Sequence, residues 1–189
     1  KGEPKIFDKD EFIRPDTSIE GLSKLKPAFK KDGSVTAGNA SGLNDGAACM
    51  LLASENAVKK FSLKPLAKIL SSAAVGVEPG IMGIGPVGAS NLALKKAGIT
   101  MKDVNVIELN EAFAAQALSC IRSWGLKDDD ARINPNGGAI ALGHPLGMSG
   151  SRILGSAALE LREKNKRYAL VTMCVGVGQG FAVVIENVS

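Results

Sequence analysis

Strand-like and helix-like patterns alternate through the latter part of this sequence, and that rhythm restricts the fold more than any other feature. LAKILSSAAVGV at 66–77 reads as a strand, and GPVGASNLALKKAG at 85–98 as a helix ending at Gly98. VNVIELN at 104–110 is a strand, EAFAAQALSCIRSWG at 111–125 a helix closed by Gly125, and SGSRILGSAALELREK at 149–164 a further helix. YALVTMCV and FAVVIENV, split by a glycine-rich turn, complete a terminal hairpin. Strands that alternate with helices predict an α/β fold with helices on both faces of one sheet.

Ahead of this rhythm the signals are weaker. Residues 1–34 are polar and rich in Lys, Asp and Pro, with one amphipathic stretch at 17–25 that Thr17 and Glu20 would open as a capping box. Residues 34–37 are a short strand candidate, followed by the small-residue loop GNASGLNDG. The alanine-rich stretch 45–60 predicts a helix.

Composition narrows the function classes. Hydrophobic residues make up 45% of the 189 and aromatic residues 4%, so a core of Ala, Val, Ile and Leu is available but stacking platforms are not. The net charge is +4, yet the lysines at 22–31, 59–64 and 162–167 have no aromatic residues interleaved as in a nucleic-acid surface. Neither a nucleic-acid nor a membrane partner is expected, since the uncharged run 168–185 is broken by GVGQG. Three cysteines without CxxC spacing predict no disulfide framework, no metal site and a reducing, cytoplasmic setting. The chain does not open with Met, and it is expected to be part of a longer one.

Three loops follow or join strand ends: LNEAF at 109–113, NPNGGAIALGHP at 134–145 and CVGVGQG at 174–180. Ligands of open α/β sheets gather at such ends. His144 is the only histidine and sits among glycines, where nothing structural asks for an imidazole. It could donate to a substrate carbonyl or exchange a proton with a thiol. Cys174 ends an apolar strand and precedes alternating glycines whose N–H groups could serve as oxyanion donors. Cys49 and Cys120 read as core residues of helices. Asn110 opens a helix and could cap it, or could polarise a carbonyl. Two chemistries stay open on these residues: a thiol hydrolase, or acyl chemistry in which a cysteine moves a carbon-bound proton.

Taken together, NASGLNDGAA at 39–48, NEAFAAQ at 110–116, NPNGGAIALGHPLGMSG at 134–150 and CVGVGQG at 174–180 resemble the thiolases, the acyl-CoA C-acyltransferases that cleave or form 3-oxoacyl-CoA. The resemblance implies a layered fold with a mixed five-stranded sheet. It makes residues 1–34 the tail of a CoA-binding loop domain, 35–62 the end of an N-terminal half and 63–189 the C-terminal domain. The acyl-accepting cysteine belongs to the absent half, so these residues alone are expected to be inactive and to self-associate.

The resemblance also assigns roles. His144 would activate the absent thiol and hold the thioester oxygen, Asn110 would anchor a water beside it, Cys174 would be the acid/base, and the Gly176 N–H would join a second oxyanion hole. Ser41 would touch the pantetheine arm, and Met82 and Phe113 would line the acyl pocket. Coenzyme A enters as a substrate, with no tightly bound cofactor. A homodimer or homotetramer is the implied assembly. GVEPGIMGIGPV with the GHP and CVGVGQG motifs resembles the degradative branch, including enzymes of 3-oxoadipyl-CoA. The acetoacetyl-CoA-specific branch and a non-catalytic CoA-thioester-binding module remain alternatives.

Overall fold

The strand edges at the two sides of the sheet are set by where the hairpin inserts. In the computed structural model, which describes residues 2–188, β1 (Ala67–Gly76), β2 (Val106–Leu109), β3 (Tyr168–Val175) and β4 (Gln179–Asn187) form one sheet in the order β1-β4-β3-β2. β3 runs parallel to β2, while β4 is antiparallel to both β3 and β1. The resemblance implies five strands. The place beside β2 is instead held by one parallel bridge from Ile107 to Ile133, because the chain turns away at Asn134, whose φ is 45°. Arg132 steadies that short segment by gripping Asp130 and donating to the carbonyls of Met101 and Val104.

Alternation along the strands builds a core on each face. Ile107, Leu109, Leu170, Ala182 and Val184 face α3 (Gly85–Ala97) and α4 (Ala114–Ser123), meeting Ala89, Ala93, Leu94 and Ile121. Val106, Ala169, Val171 and Ile185 face the other way, onto Ile153, Ala157 and Leu161 of α6 (Leu146–Glu163). Small residues on α3 let it lie close to the sheet. Gly98, with φ of 71°, ends α3 as expected by turning its N–H back to the Leu94 and Lys95 carbonyls.

Four local expectations fail, each because a specific contact wins. Ser18, not Thr17, caps α1 (Ile19–Ser23) by accepting from Gly21 N–H; the Thr17 hydroxyl goes to the Arg14 carbonyl. Residues 34–37 form no strand, since the Asn39 side chain folds them into a turn through the Thr36 N–H and the Ser34 carbonyl. Residues 45–54 form no regular element rather than a helix, and α2 (Glu55–Phe61) begins only where Ser54 caps it. Gly46 there presses on Pro145 and Met148, a contact that overrides alanine's helix preference. Cys49 consequently lies exposed outside any helix, whereas Cys120 is buried in α4.

Candidate active site

β2 ends at Leu109, beside Thr172 of the parallel strand β3, which runs on to Val175, and His144 is brought to the residue that follows β2. The Asn110 N–H donates to the Thr172 carbonyl at 3.0 Å, which keeps Asn110 in register with the sheet beyond the last residue of β2. It therefore does not cap α4, which starts later at Ala114 behind Phe113. That correction frees the Asn110 side chain for the site, where it is only 1% exposed.

Across from it stands His144, 7% exposed. Its Nδ1 lies 2.6 Å from Ser149 Oγ and its Nε2 3.3 Å from Asn110 Nδ2. Ser149 has one hydroxyl hydrogen and lies 3.2 Å from the Pro145 carbonyl, which can only accept. With the hydroxyl donating there, the imidazole proton belongs on Nδ1, pointing at Ser149. The Nε2 lone pair is left facing Asn110, and Asn110 Oδ1 is buried without a hydrogen-bond partner among the described residues. Burial, and then the positive charge of Arg152, hold the imidazole below its ordinary value of 6.5. A neutral ring with an accepting Nε2 is a base in waiting.

The loop that delivers His144 is fastened at several points. Asn134 mimics a strand partner, accepting from the Leu109 N–H and donating to the Leu109 carbonyl, both at 2.9 Å. Glu111 accepts from Asn134 Nδ2 at 2.7 Å and from the Ile140 N–H at 3.3 Å, in α5 (Ala139–Leu142). The His144 N–H itself donates to Asn44 Oδ1 at 3.0 Å. Gly143, with φ of 97°, makes the bend, and a Cβ there would strike Asn44.

Cys174 stands near the end of β3, opposite Gly180 of β4, and is 6% exposed. Burial pushes its thiol above the ordinary range, so it stays protonated at neutral pH. Burial likewise drives Cys120 up to about 11, and its thiol donates to the Gly83 carbonyl at 3.4 Å. Beyond Cys174 the turn has one glycine that the backbone requires and one that it does not. Gly178 has φ of 100° and its carbonyl accepts from Val77 N–H, whereas Gly176 is exposed with nothing within 4 Å of where a Cβ would sit.

The other candidates fall into two groups. Ser41 and Phe113 lie on neighbouring backbone segments, joined by the Ser41 N–H to the Ala112 carbonyl and by the Ala40–Phe113 bridge. The Phe113 ring also meets Phe29 edge-on at 6.4 Å. Met82 sits on a 3-10 turn (Pro79–Ile84) ahead of α3, on a separate segment. Sequence reasoning missed Asn44, Glu111, Asn134, Ser149 and Arg152. Glu111 and Ser149 are close in sequence to Asn110 and His144, but nothing local announces that Asn44 reaches across 100 positions to His144. Among the described residues no group of three or more His, Cys, Asp and Glu could hold a metal ion, and no helix is long and apolar enough to cross a membrane.

Glu108 is the buried charge of this region, on the α6 face of β2 and 1% exposed. Burial raises its carboxyl to about 7, against the pull of Arg152 and with smaller help from Glu111 and Glu160. A carboxyl raised in the folded state adds stability that is complete below its unfolded value of 4.5 and is lost as pH climbs through about 7. Glu108→Gln removes that titration. Its unfolding free energy should exceed that of the parent by about 3 kcal/mol at pH 8 and match it near pH 4. Urea unfolding at the two pH values checks this, and parallel pH profiles for the two chains would refute it.

The chain is similar to known proteins over its whole length. Residues 63–187 match the family model described as thiolase, C-terminal domain, and residues 1–56 match the thiolase N-terminal domain. A beta-ketoadipyl-CoA thiolase of Acinetobacter baylyi is 58% identical over 188 residues, covering 100% of this chain and 47% of the relative. A 3-oxoadipyl-CoA/3-oxo-5,6-dehydrosuberyl-CoA thiolase of Escherichia coli is 54% identical with the same coverage. Among solved structures, the acetyl-CoA acetyltransferase of Bacillus anthracis superposes with a TM-score of 0.93 at 44% identity, over 100% of this chain and 48% of that one. Human mitochondrial 3-ketoacyl-CoA thiolase in complex with CoA gives a TM-score of 0.88 at 49% identity, over 96% and 46%. The chain thus spans about half the length of the relatives it matches.

Proposed function

We propose, from the premise that this chain belongs to the thiolase family, that it supplies one half of the active site of a thiolase cleaving 3-oxoacyl-CoA with coenzyme A. The observation that carries the reading is His144: a lone, buried imidazole whose Nε2 lone pair faces Asn110, at the strand end beside the one that bears Cys174. In this reading residues 1–34 belong to the CoA-binding loop domain, 35–62 close the first half and 63–189 form the second. The acyl-accepting cysteine comes from the half outside these 189 residues.

The chemistry follows from what each group can hold. His144 Nε2 takes the proton of the attacking thiol, and the resulting Nε2–H donates to the thioester oxygen. Asn110, through its unpartnered Oδ1, anchors the water that completes this oxyanion site. The thiolate adds to the 3-oxo carbon, and collapse of the resulting tetrahedral oxyanion breaks the bond between the α and β carbons, leaving the acyl group on the cysteine and an acetyl-CoA enolate. Cys174, protonated at neutral pH, delivers its proton to that enolate. The Cys174 thiolate then takes the proton of the coenzyme A thiol, whose sulfur attacks the acyl-cysteine with the Gly176 N–H stabilising the oxyanion; the shortened acyl-CoA leaves, and the expelled cysteine thiolate recovers its proton from His144 Nε2. Gly176 fits this role because nothing in the described fold demands a glycine there. Ser41 contacts the pantetheine arm, and Met82 and Phe113 line the acyl pocket.

3-Oxoadipyl-CoA is the substrate we favour, since relatives at 58% and 54% identity carry that activity in their names. The full-length polypeptide should convert 3-oxoadipyl-CoA and CoA into acetyl-CoA and succinyl-CoA, followed by chromatography of the CoA thioesters. The 189 residues by themselves should not. Faster turnover of acetoacetyl-CoA would move the protein to the acetyl-CoA acetyltransferase branch, to which a relative at 51% identity is assigned by name. Turnover of neither substrate would overturn the enzymatic reading in favour of a binding module.

A further inference from the structure

We propose that Glu111 is a positioning residue for His144, latching the loop 134–143 to the end of β2 so that the imidazole keeps its place against Asn110. Glu111 directly follows Asn110, so one short stretch of backbone carries both the partner of Nε2 and the anchor of the loop. Its two carboxylate oxygens take separate points on that loop. Oε1 receives Asn134 Nδ2 at the entry, and Oε2 receives the Ile140 N–H in the middle. His144 leaves the same loop, turned by Gly143.

Gly138 is the second observation. Its φ is −112° and its ψ −173°, an extended conformation that any residue adopts. A Cβ at this position would nevertheless land on the Glu111 carboxylate. The loop therefore carries glycine at 138 to admit the carboxylate, not to make a turn. Glu111 and Gly138 are two halves of one device, and either can be altered without touching His144, Asn110 or Cys174.

The role rests on His144 being the reacting imidazole, but the test does not depend on turnover. Because His144 is the only histidine in the sequence, nitrogen-15 labelling of histidine gives a single ring whose two shifts report the tautomer. The parent chain should show the proton on Nδ1. Glu111→Ala and Gly138→Ala should both give averaged shifts from a ring with no fixed tautomer. Glu111→Gln, which keeps an acceptor for Asn134 but turns a donor toward Ile140, should lie between. In the full-length enzyme the alanine variants should lose about 10²-fold in kcat with KM nearly unchanged, the size of effect that slight misplacement of a reacting group produces.

A single Nδ1–H signature retained in folded Glu111→Ala and Gly138→Ala chains overturns the proposal. So does unfolding of both, because the contact then serves stability alone. If Glu111→Ala alone fails to fold, Gly138→Ala and Glu111→Gln decide the matter by their shifts. An altered tautomer in an enzyme without thiolase activity would leave the latch standing and count against the proposed reaction.

Discussion

Replacing Cys174 by serine in the full-length protein is expected to lower kcat for 3-oxoacyl-CoA cleavage by about 10²–10⁴-fold, with little change in KM. The substitution preserves size and polarity near the end of β3, where the thiol is buried opposite Gly180, so the fold has little reason to respond. What changes is acidity. A thiol raised by burial still gives up a proton to a carbon-bound enolate far more readily than a serine hydroxyl. The defect should sit in proton transfer at carbon and nowhere else. Incorporation of solvent deuterium into the methyl group of acetyl-CoA should disappear in Cys174→Ser, while the acyl group of a 3-oxoacyl-CoA analogue should still reach the nucleophilic cysteine. Undiminished deuterium exchange would give the acid/base role to another group, and Cys174 would be a packing residue near an oxyanion loop.

The strands and long helices were legible because their signals are local and mutually consistent. α3 ends at Gly98 and α4 gives way at Gly125, each glycine at φ of 71°, the backbone geometry that ends a helix. β3 and β4 read as a hairpin because apolar runs flank a turn where Gly178 must take a positive φ. Residues 45–54 misled because their helix preference is also local, while what fixes them is distant: Asn44 on the His144 N–H and Gly46 against Pro145 and Met148. The fifth place in the sheet is reduced to a bridge for a related reason. One bridge at Ile133 is all that the turn at Asn134 permits.

The candidate site divides in the same way. His144, Asn110 and Cys174 stand out in the sequence because each carries acid/base or hydrogen-bonding chemistry in, or at the mouth of, a loop rich in small residues. Their supports do not stand out. Ser149 looks like one more small residue of a glycine-rich stretch, yet it fixes the tautomer of the imidazole. Asn110 looked like a helix cap, and the pattern gave no sign that α4 starts four positions later, at Ala114. Arg152 and Glu108 are ordinary charges in sequence, and only packing brings the Arg152 charge to bear on both the buried Glu108 carboxyl and the His144 imidazole.

Substituting alanine for Gly180 is expected to cost about 3 kcal/mol of stability, the upper end of what overpacking usually does. Gly180 pairs with Cys174 on one side and Val75 on the other, in the middle of the sheet. The first turn of α3 crosses it so closely that a Cβ on Gly180 would fall on the backbone of Gly85, and a Cβ on Gly85 would meet Gln179 carbonyl oxygen at 2.5 Å. Both partners are main chain, so no rotamer change relieves the collision. α3 would have to lift, opening the packing of Ala89, Ala93 and Leu94 against Ala182 and Val184. Gly176→Ala, with open space around it, should change stability by less than about 0.5 kcal/mol. Urea unfolding followed by the single tryptophan, Trp124, and by circular dichroism measures both. Gly85→Ala should cost a similar amount, and the double variant clearly less than the sum, because one displacement of α3 relieves both clashes. Full additivity would mean that the two glycines serve separate contacts, and a loss below about 1 kcal/mol in Gly180→Ala would mean that α3 is not held against β4 at this crossing.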